Sequence, residues 1–302
     1  MRTVLITGAS GFIGRRTVRA CLARGWRVIG LDRHPSAFAA DAYTHLVHAV
    51  TPDEPLPVPL IRQTVDAAIL LAWPVDPARY LQSSDNLEAL AATLALARAM
   101  INAGCRTLVG VGTCAEYAPA EPGIRLREDH AVRPDTLYAA CKTAAHQVLE
   151  QLVRPAQATI TWARIFNPFG PGESAARLLP SIARRLAAGE DFLAGSGSQV
   201  RDYLHVDDIA AGLATCLDGG LPGAVNVCSG QGMVLAEMMT TFAMACGSAG
   251  KVVLGAKADR PWDPPHLVGD PGRLLAAGWK PRDPLPLLAE YARSLVSTSP
   301  AS

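Results

Sequence analysis

The opening of this chain constrains it most: an apolar run, Val4-Leu5-Ile6-Thr7, ends directly in Gly8-Ala9-Ser10-Gly11-Phe12-Ile13-Gly14. A β-branched run, a G-x-x-G-x-x-G turn and then an amphipathic stretch spell a strand, a tight turn and a helix that opens over it. Gly8 permits the turn, Gly11 lets backbone amides approach a pyrophosphate, and Gly14 lets the helix pack against the strand. The helix N-terminus then presents unpaired N–H groups and a partial positive charge to phosphates. Gly8, Gly11, Phe12, Ile13 and Gly14 are the first candidates for dinucleotide contacts.

Asp32 ends the second strand pattern, 18 residues after Gly14. A carboxylate there can accept both hydroxyls of an adenosine ribose and repel a 2′-phosphate, which favours NAD. Arg33 follows at once and could instead pair with that phosphate, so NADP stays open.

Further along, short apolar runs alternate with amphipathic ones. Val4–Thr7, Arg27–Leu31, Leu46–Val50, Ala67–Ala72, Thr107–Gly112 and Thr159–Ile165 read as strands, with helices over 12–24, 78–103 and 136–153. The crossover around 53–66 is short and proline-rich, so a helix there is weakly marked. This alternation predicts an α/β fold: a doubly wound parallel Rossmann sheet with one hand of crossover. After Asn167-Pro168-Phe169-Gly170-Pro171-Gly172 the rhythm changes, with helices over 175–188 and 207–217 separated by turn-rich segments. The division expected is a dinucleotide-binding Rossmann domain over 1–167 plus about 205–220, and a smaller α/β substrate lobe over about 168–204 and 221–302. Ser297–Ser302 reads as a frayed tail.

Bulk properties narrow the classes of partner. A net charge of +1, from 28 basic and 27 acidic residues, gives no reason to expect nucleic acid or an anionic membrane. No apolar stretch approaches the ~20 residues of a spanning helix. The first strand is needed for the fold, so no signal peptide fits. Seven cysteines form no C-x-x-C pair, which suits a reduced, cytoplasmic protein, and the seven histidines show no metal-ligand spacing.

The chemistry sits in three residues. Tyr138-Ala139-Ala140-Cys141-Lys142 places a phenol and an ammonium one helical turn apart on one face. A free phenol ionises near pH ~10, and a nearby cation would bring it toward the working range. Tyr138 could then exchange a proton with a substrate oxygen while hydride moves to or from a nicotinamide. Tyr-x-x-x-Lys alone arises often by chance. Thr113 adds a hydroxyl at the carboxyl end of the fifth strand, the edge where ligands of open α/β sheets bind.

With these in order, the chain resembles the extended short-chain dehydrogenase/reductases of the NAD-dependent epimerase/dehydratase family, which act mostly on nucleotide sugars. The resemblance runs from Val4 to about Pro281. It implies catalytic roles for Thr113, Tyr138 and Lys142, the last two also touching cofactor, and cofactor contacts at Leu71, Ala72 and Asn86. Arg164-Ile165-Phe166-Asn167-Pro168-Phe169-Gly170-Pro171-Gly172 is similar to the stretch whose Asn touches substrate, which implies that role for Asn167. Arg201-Asp202-Tyr203-Leu204-His205-Val206-Asp207-Asp208 matches the segment whose Arg meets a substrate diphosphate, and Arg260 resembles the C-terminal Arg that clasps the same group. Two guanidinium forks on one diphosphate are a sound recognition device. The family resemblance also implies a homodimer through the 78–103 and 136–153 helices.

Departures from the family pattern narrow the reaction. The 4,6-dehydratases carry Asp-Glu after the Thr; here stand Cys114 and Ala115, with Glu116 one place later and pointing elsewhere if the strand keeps alternating. Dehydration is therefore not expected. Trp73 replaces a small residue near the nicotinamide pocket, His48-Ala49 stands where an adenine-reaching Asp is common, and Arg177 replaces an Asn ahead of Leu-x-Pro. Burial as packing is the better reading of Cys114. What is left is hydride transfer at a sugar carbon of a nucleotide sugar, by epimerisation or by 4-keto reduction. The alternatives are reduction of a non-nucleotide carbonyl compound, separable by a nucleotide panel in thermal shift, and a non-catalytic dinucleotide sensor, against which the retained Tyr138 and Lys142 argue.

Overall fold

The computed structural model describes residues 1–57, 60, 64–259 and 263–297. β1 (Thr3–Thr7) lies between β2 (Arg27–Asp32), which pairs with β3 (Tyr43–Val47), and β4 (Ala67–Leu70), which leads outward to β5 (Thr107–Thr113) and β6 (Thr159–Ile165). A seventh strand, β10 (Gly223–Val227), closes the far edge against β6. Every neighbouring pair is parallel. The sheet is covered on both sides, so its strands can be apolar at successive positions rather than alternate ones. Val4 and Ile6 face α1 (Gly14–Leu22) and α5 (Val206–Gly219), while Leu5 faces α2 (Asp85–Asn102) and α3 (Leu137–Val153). Chain order reverses between β1 and β4, which opens a crevice beyond the carboxyl ends of the strands.

The predicted doubly wound sheet is what forms, with local shifts that have physical causes. The third strand starts at Tyr43 rather than Leu46, because its ladder begins where Val28 N donates to Ala42 O at 2.8 Å. The second predicted helix starts at Asp85 rather than 78. Ahead of it, Asp76 ties down the turn through Ala78 N (3.1 Å) and Arg79, and Asn86 Nδ2 takes the carbonyls of Tyr80 (2.7 Å) and Ser83 (2.8 Å). Those carbonyls are thereby held in a turn instead of a helix. Residues 58, 59 and 61–63 of the 53–66 crossover lie outside the described residues, as does the tail beyond Ser297; α8 (Pro284–Ser297) is the last described element.

The second lobe is built on β9 (Val200–His205), flanked in parallel by β7 (Asn167–Phe169) and β13 (His266–Leu267) and antiparallel by β11 (Gly232–Val234). β8 (Phe192–Leu193) and β12 (Val252–Val253) form a small separate pair. α4 (Leu178–Ala187), α6 (Leu235–Cys246) and α8 enclose Phe169, Tyr203, Phe242 and Tyr291. Two pieces of the expected substrate lobe belong instead to the Rossmann half. β10 is a strand of the central sheet, and α7 (Gly272–Ala276) with Trp279 packs on its core through Leu274. Trp279 Nε1 donates to Asp208 O at 3.0 Å, fastening that segment to α5.

Candidate active site

A cleft of about 1480 Å³ runs along the carboxyl edge of the sheet between the two lobes. At one end is the glycine turn. Gly8 has φ +66° and its N–H donates to Leu31 O at 2.9 Å, bending the chain off β1. A Cβ on Gly14 would lie 1.9 Å from Gly8 O, so only glycine lets α1 start this close to the turn. A Cβ on Gly11 would meet only Gly8 O, at 3.1 Å, and would otherwise stand in the cleft. Ile13 at the helix start supplies no side-chain cap and no acidic residue follows in the first turn. Backbone amides, a bare helix N-terminus and an approach kept clear of side chains fit a pyrophosphate.

The neighbouring strand ends complete this half. Thr7 Oγ1 accepts from Leu71 N and Ala72 N, both at 3.0 Å, and so pins those two cleft residues to β1. Sequence reasoning passed over Thr7; its signal was a β-branched hydroxyl residue at the strand's last position. Asp32 ends β2 with Oδ2 accepting from Ser10 N at 3.1 Å and Oδ1 from His34 N at 3.2 Å. Each oxygen keeps a further lone pair for a ribose hydroxyl. Arg33 lies exposed on the same rim.

Asn86 does not join them. It is fully buried, both amide hydrogens go to Tyr80 and Ser83, and its Oδ1 accepts from Trp73 Nε1 at 2.8 Å. Its amide supports the wall of the cleft from behind and is not part of the lining.

Thr113, Tyr138 and Lys142 converge at the middle of the cleft. Thr136 caps α3 by accepting from Ala139 N at 3.1 Å, which sets Tyr138 in the first helical turn. The phenol and the Thr113 hydroxyl both face the cleft, and Thr113 favours the ionised form of the phenol. Lys142, buried one turn on, donates to Val111 O at 2.8 Å and lies 3.7 Å from the centre of the Trp73 ring. Its distance to the Tyr138 ring is 5.9 Å.

The electrostatics differ from the sequence expectation. Burial, reinforced by Tyr80, holds the Tyr138 phenol above its ordinary range, while Thr113 pulls the other way. Burial pushes Lys142 down to about 7, with Glu116 opposing it. The spacing predicted a phenol acidified by a full positive charge; at neutral pH the protein provides a protonated phenol beside an amine near its own midpoint.

Tyr80, absent from the predicted set, packs edge-on against Tyr138 with ring centres 5.0 Å apart, and the Arg177 guanidinium lies 5.3 Å from the Tyr80 ring. Nothing in the sequence marked Tyr80, since it lies in a turn without a motif. On the second lobe, Asn167 donates to Asp202 O at 2.9 Å and faces the cleft. Arg201 reaches the cleft wall but is engaged: Nη2 is 2.6 Å from Asp263 Oδ1 and Nη1 donates to Val200 O at 2.9 Å. Arg260 lies outside the described residues. Glu173, directly after the Gly-Pro-Gly of the motif, also lines the cleft, and burial pushes its carboxyl up to about 7 against the pull of Arg177.

Comparison with known proteins agrees with this geometry. The model of the NAD dependent epimerase/dehydratase family matches residues 4–228. The chain is similar to dTDP-4-dehydro-6-deoxy-D-allose reductase from a Streptomyces species, 30% identical over 91% of this chain and 88% of that one. It is also similar to GDP-6-deoxy-D-mannose reductase from Pseudomonas aeruginosa, 28% identical over 92% of this chain and 91% of that one. Among solved structures, the Thermus thermophilus UDP-glucose 4-epimerase in complex with NAD superposes with a TM-score of 0.81 at 26% identity, covering 96% of this chain and 99% of the other.

Proposed function

This chain belongs to the NAD dependent epimerase/dehydratase family, and from that premise we propose that it reduces the 4-keto group of a nucleotide-linked 6-deoxy sugar. At the coarser level it is an NAD-dependent enzyme that moves hydride at a sugar carbon of a nucleotide sugar. The two relatives named first above are both, by name, reductases of 6-deoxy sugar nucleotides.

The observation that carries the finer reading is the Tyr138 phenol set in the cleft with Thr113 and held above its ordinary range by burial. A phenol held above its ordinary range keeps its proton at neutral pH, which suits a donor to a carbonyl oxygen. Bound at the glycine turn, the dinucleotide supplies the hydride. Thr113 and Tyr138 together can hold the carbonyl oxygen, and Tyr138 gives it a proton as the carbon is reduced. Lys142, one helical turn away, can take up or release a proton near neutral pH. Asp32, Leu71 and Ala72 hold the dinucleotide, and Asn167 and Arg201 take the sugar nucleotide. Dehydration lacks its acid and base: Cys114 and Ala115 stand in those places, and Glu116 is consumed by Thr113 N, Trp162 and Arg164.

Epimerisation is the second reading, favoured by the likeness to the Thermus epimerase. The assembly we propose is a homodimer across α2 and α3, supported by Leu87 and Val148, which stand exposed on them. The proposed location is the cytoplasm, supported by seven free, buried thiols. No helix among the described residues is long and apolar enough to cross a membrane.

The deciding assay offers NADH with dTDP-, GDP- and UDP-linked 4-keto-6-deoxy sugars and follows loss of NADH absorbance beside product. Stoichiometric consumption is expected; interconversion of the matching 4-hydroxy nucleotide sugars in the presence of NAD, with no net change in NADH, would establish the epimerase instead. Tyr138→Phe should lower kcat by about 100- to 10,000-fold while leaving NADH binding intact. Full turnover by that variant overturns the mechanism.

A further inference from the structure

α3 begins with backbone N–H groups that the helix itself cannot pair. Thr136 takes that of Ala139, and two more are met from the turn ahead of α2. Leu137 N donates to Gln82 Oε1 at 3.2 Å, and Tyr138 N donates to Leu81 O at 3.0 Å. The turn that carries Tyr80 is thus docked on the end of α3 that carries the reactive phenol. These bonds fix the backbone of Tyr138 but not its ring, which can still turn about side-chain torsions, the second of them broad in tyrosine. The ring is set by its neighbours. Tyr80 packs edge-on against it with centres 5.0 Å apart, and Trp73 does so at 6.4 Å, both with the planes at 78°. Aromatic pairs favour this arrangement at such distances.

The Tyr80 ring is itself held from the second lobe. Arg177 stands just ahead of α4, where its side chain gives the helix no cap and lines the cleft instead. Its guanidinium lies over the Tyr80 ring, 5.3 Å from the centre. A cation so placed is attracted by the negative face of the ring, more strongly where water is partly excluded. Arg177, Tyr80 and Tyr138 therefore form a chain of contacts from one lobe, across the cleft, to the reacting group of the other.

We propose that Tyr80 is a positioning residue for the Tyr138 phenol and that Arg177 holds Tyr80 in place, so that the seating of the second lobe sets the aim of the proton donor. This rests on the donor role proposed above for Tyr138.

The placement of the ring can be read with neither cofactor nor substrate present. The chain has six tyrosines. With their ε carbons labelled, the NMR signals abolished in Tyr138→Phe are those of Tyr138. Tyr80→Leu, a change in a half-buried turn residue, should move them. Arg177→Gln should move them in the parent and leave them in place once Tyr80 is leucine, because the arginine acts through the ring. Signals unmoved in Tyr80→Leu, or moved equally by Arg177→Gln in both backgrounds, overturn the proposal.

Turnover is then measured with whichever of the dTDP-, GDP- and UDP-linked 4-keto-6-deoxy sugars the parent reduces. Tyr80→Leu should lower kcat by about 10- to 100-fold, the scale of a small misplacement of a reacting group, with KM little changed. Tyr80→Phe keeps the ring and should restore most of the loss. Arg177→Gln should lower kcat in the parent and lower it no further in Tyr80→Leu. A parental kcat in Tyr80→Leu, or losses that multiply, overturns the proposal. Should the parent reduce none of these sugars, the hydride-transfer reading is what fails, and the ring signals still decide how Tyr138 is held.

Discussion

Trp73 covers the amine of Lys142, its ring centre 3.7 Å from Nζ, while its own Nε1 donates at 2.8 Å to the fully buried Asn86. One side chain thus links the buried lysine of the cleft to the amide that shapes the turn ahead of α2. Trp73→Phe keeps a ring over the amine but strands Asn86 Oδ1 without a donor. An unmet buried acceptor costs about 1–3 kcal/mol. Urea unfolding should register a loss of that order, with cofactor binding little changed. A variant as stable as the parent would mean that Asn86 finds another donor.

The lysine also leaves a signature in the pH dependence of stability. Burial lowers it from its ordinary 10.5 to about 7, so between those values the unfolded chain holds a proton that the folded protein has released. Stability from this group rises with pH across that window, and its cost is fully present below it. Glu173 acts in a lower window: its carboxyl, raised from 4.5 to about 7, keeps a proton the unfolded chain has lost, so stability falls as pH rises between them. Lys142→Met removes the first contribution alone. Relative to the parent, it should gain a few kcal/mol more at about pH 6 than at about pH 10, read by urea unfolding at both. An equal difference at the two pH values would show that the amine is not held down.

Local patterns made part of this site legible and hid the rest. The glycine turn and the Tyr138–Lys142 spacing could be read because their geometry is set within one turn or one helix. The sign of the electrostatics could not, because spacing reports which groups are neighbours and says nothing of how deeply they are buried. Asn86 fell at the right place along α2, but its amide is spent on carbonyls three and six residues back. β10 escaped assignment because it joins the sheet only through β6, far back in sequence. Arg201 was found by motif while Asp263, its partner across 62 residues, carried no local mark. Glu116 was noted as displaced from the dehydratase position, and only the 3-10 turn after β5 reveals where its carboxylate goes.

That partner of Arg201 suggests a third experiment. Asp263 Oδ1 lies 2.6 Å from Nη2 of the buried Arg201, so in the role proposed for Arg201 a substrate diphosphate would have to share or displace the carboxylate. Asp263→Asn should therefore tighten the binding of a nucleoside diphosphate by about tenfold, equivalent to about 1.4 kcal/mol. Arg201→Gln should weaken it. Calorimetry with dTDP, GDP and UDP tests both. Weaker binding in Asp263→Asn would identify the carboxylate as the group that aims Arg201 rather than one that competes for it.

Cofactor choice is tested at Asp32. Its two oxygens accept from Ser10 N and His34 N, so the carboxylate is held in place at the end of β2 with lone pairs directed to the rim. A 2′-phosphate there would meet a fixed negative charge, whereas ribose hydroxyls would meet an acceptor. Asp32→Asn removes the charge and keeps an oxygen acceptor, and Arg33 next to it remains to pair with a phosphate. Losing one charge also loosens the Ser10 and His34 backbone, so binding of both cofactors should weaken. Their ratio isolates the electrostatic effect. Measured by NADH and NADPH fluorescence, the preference for NADH over NADPH should fall by about tenfold or more, since each 1.4 kcal/mol of repulsion relieved is a factor of ten. An unchanged ratio would place the discrimination elsewhere on the rim.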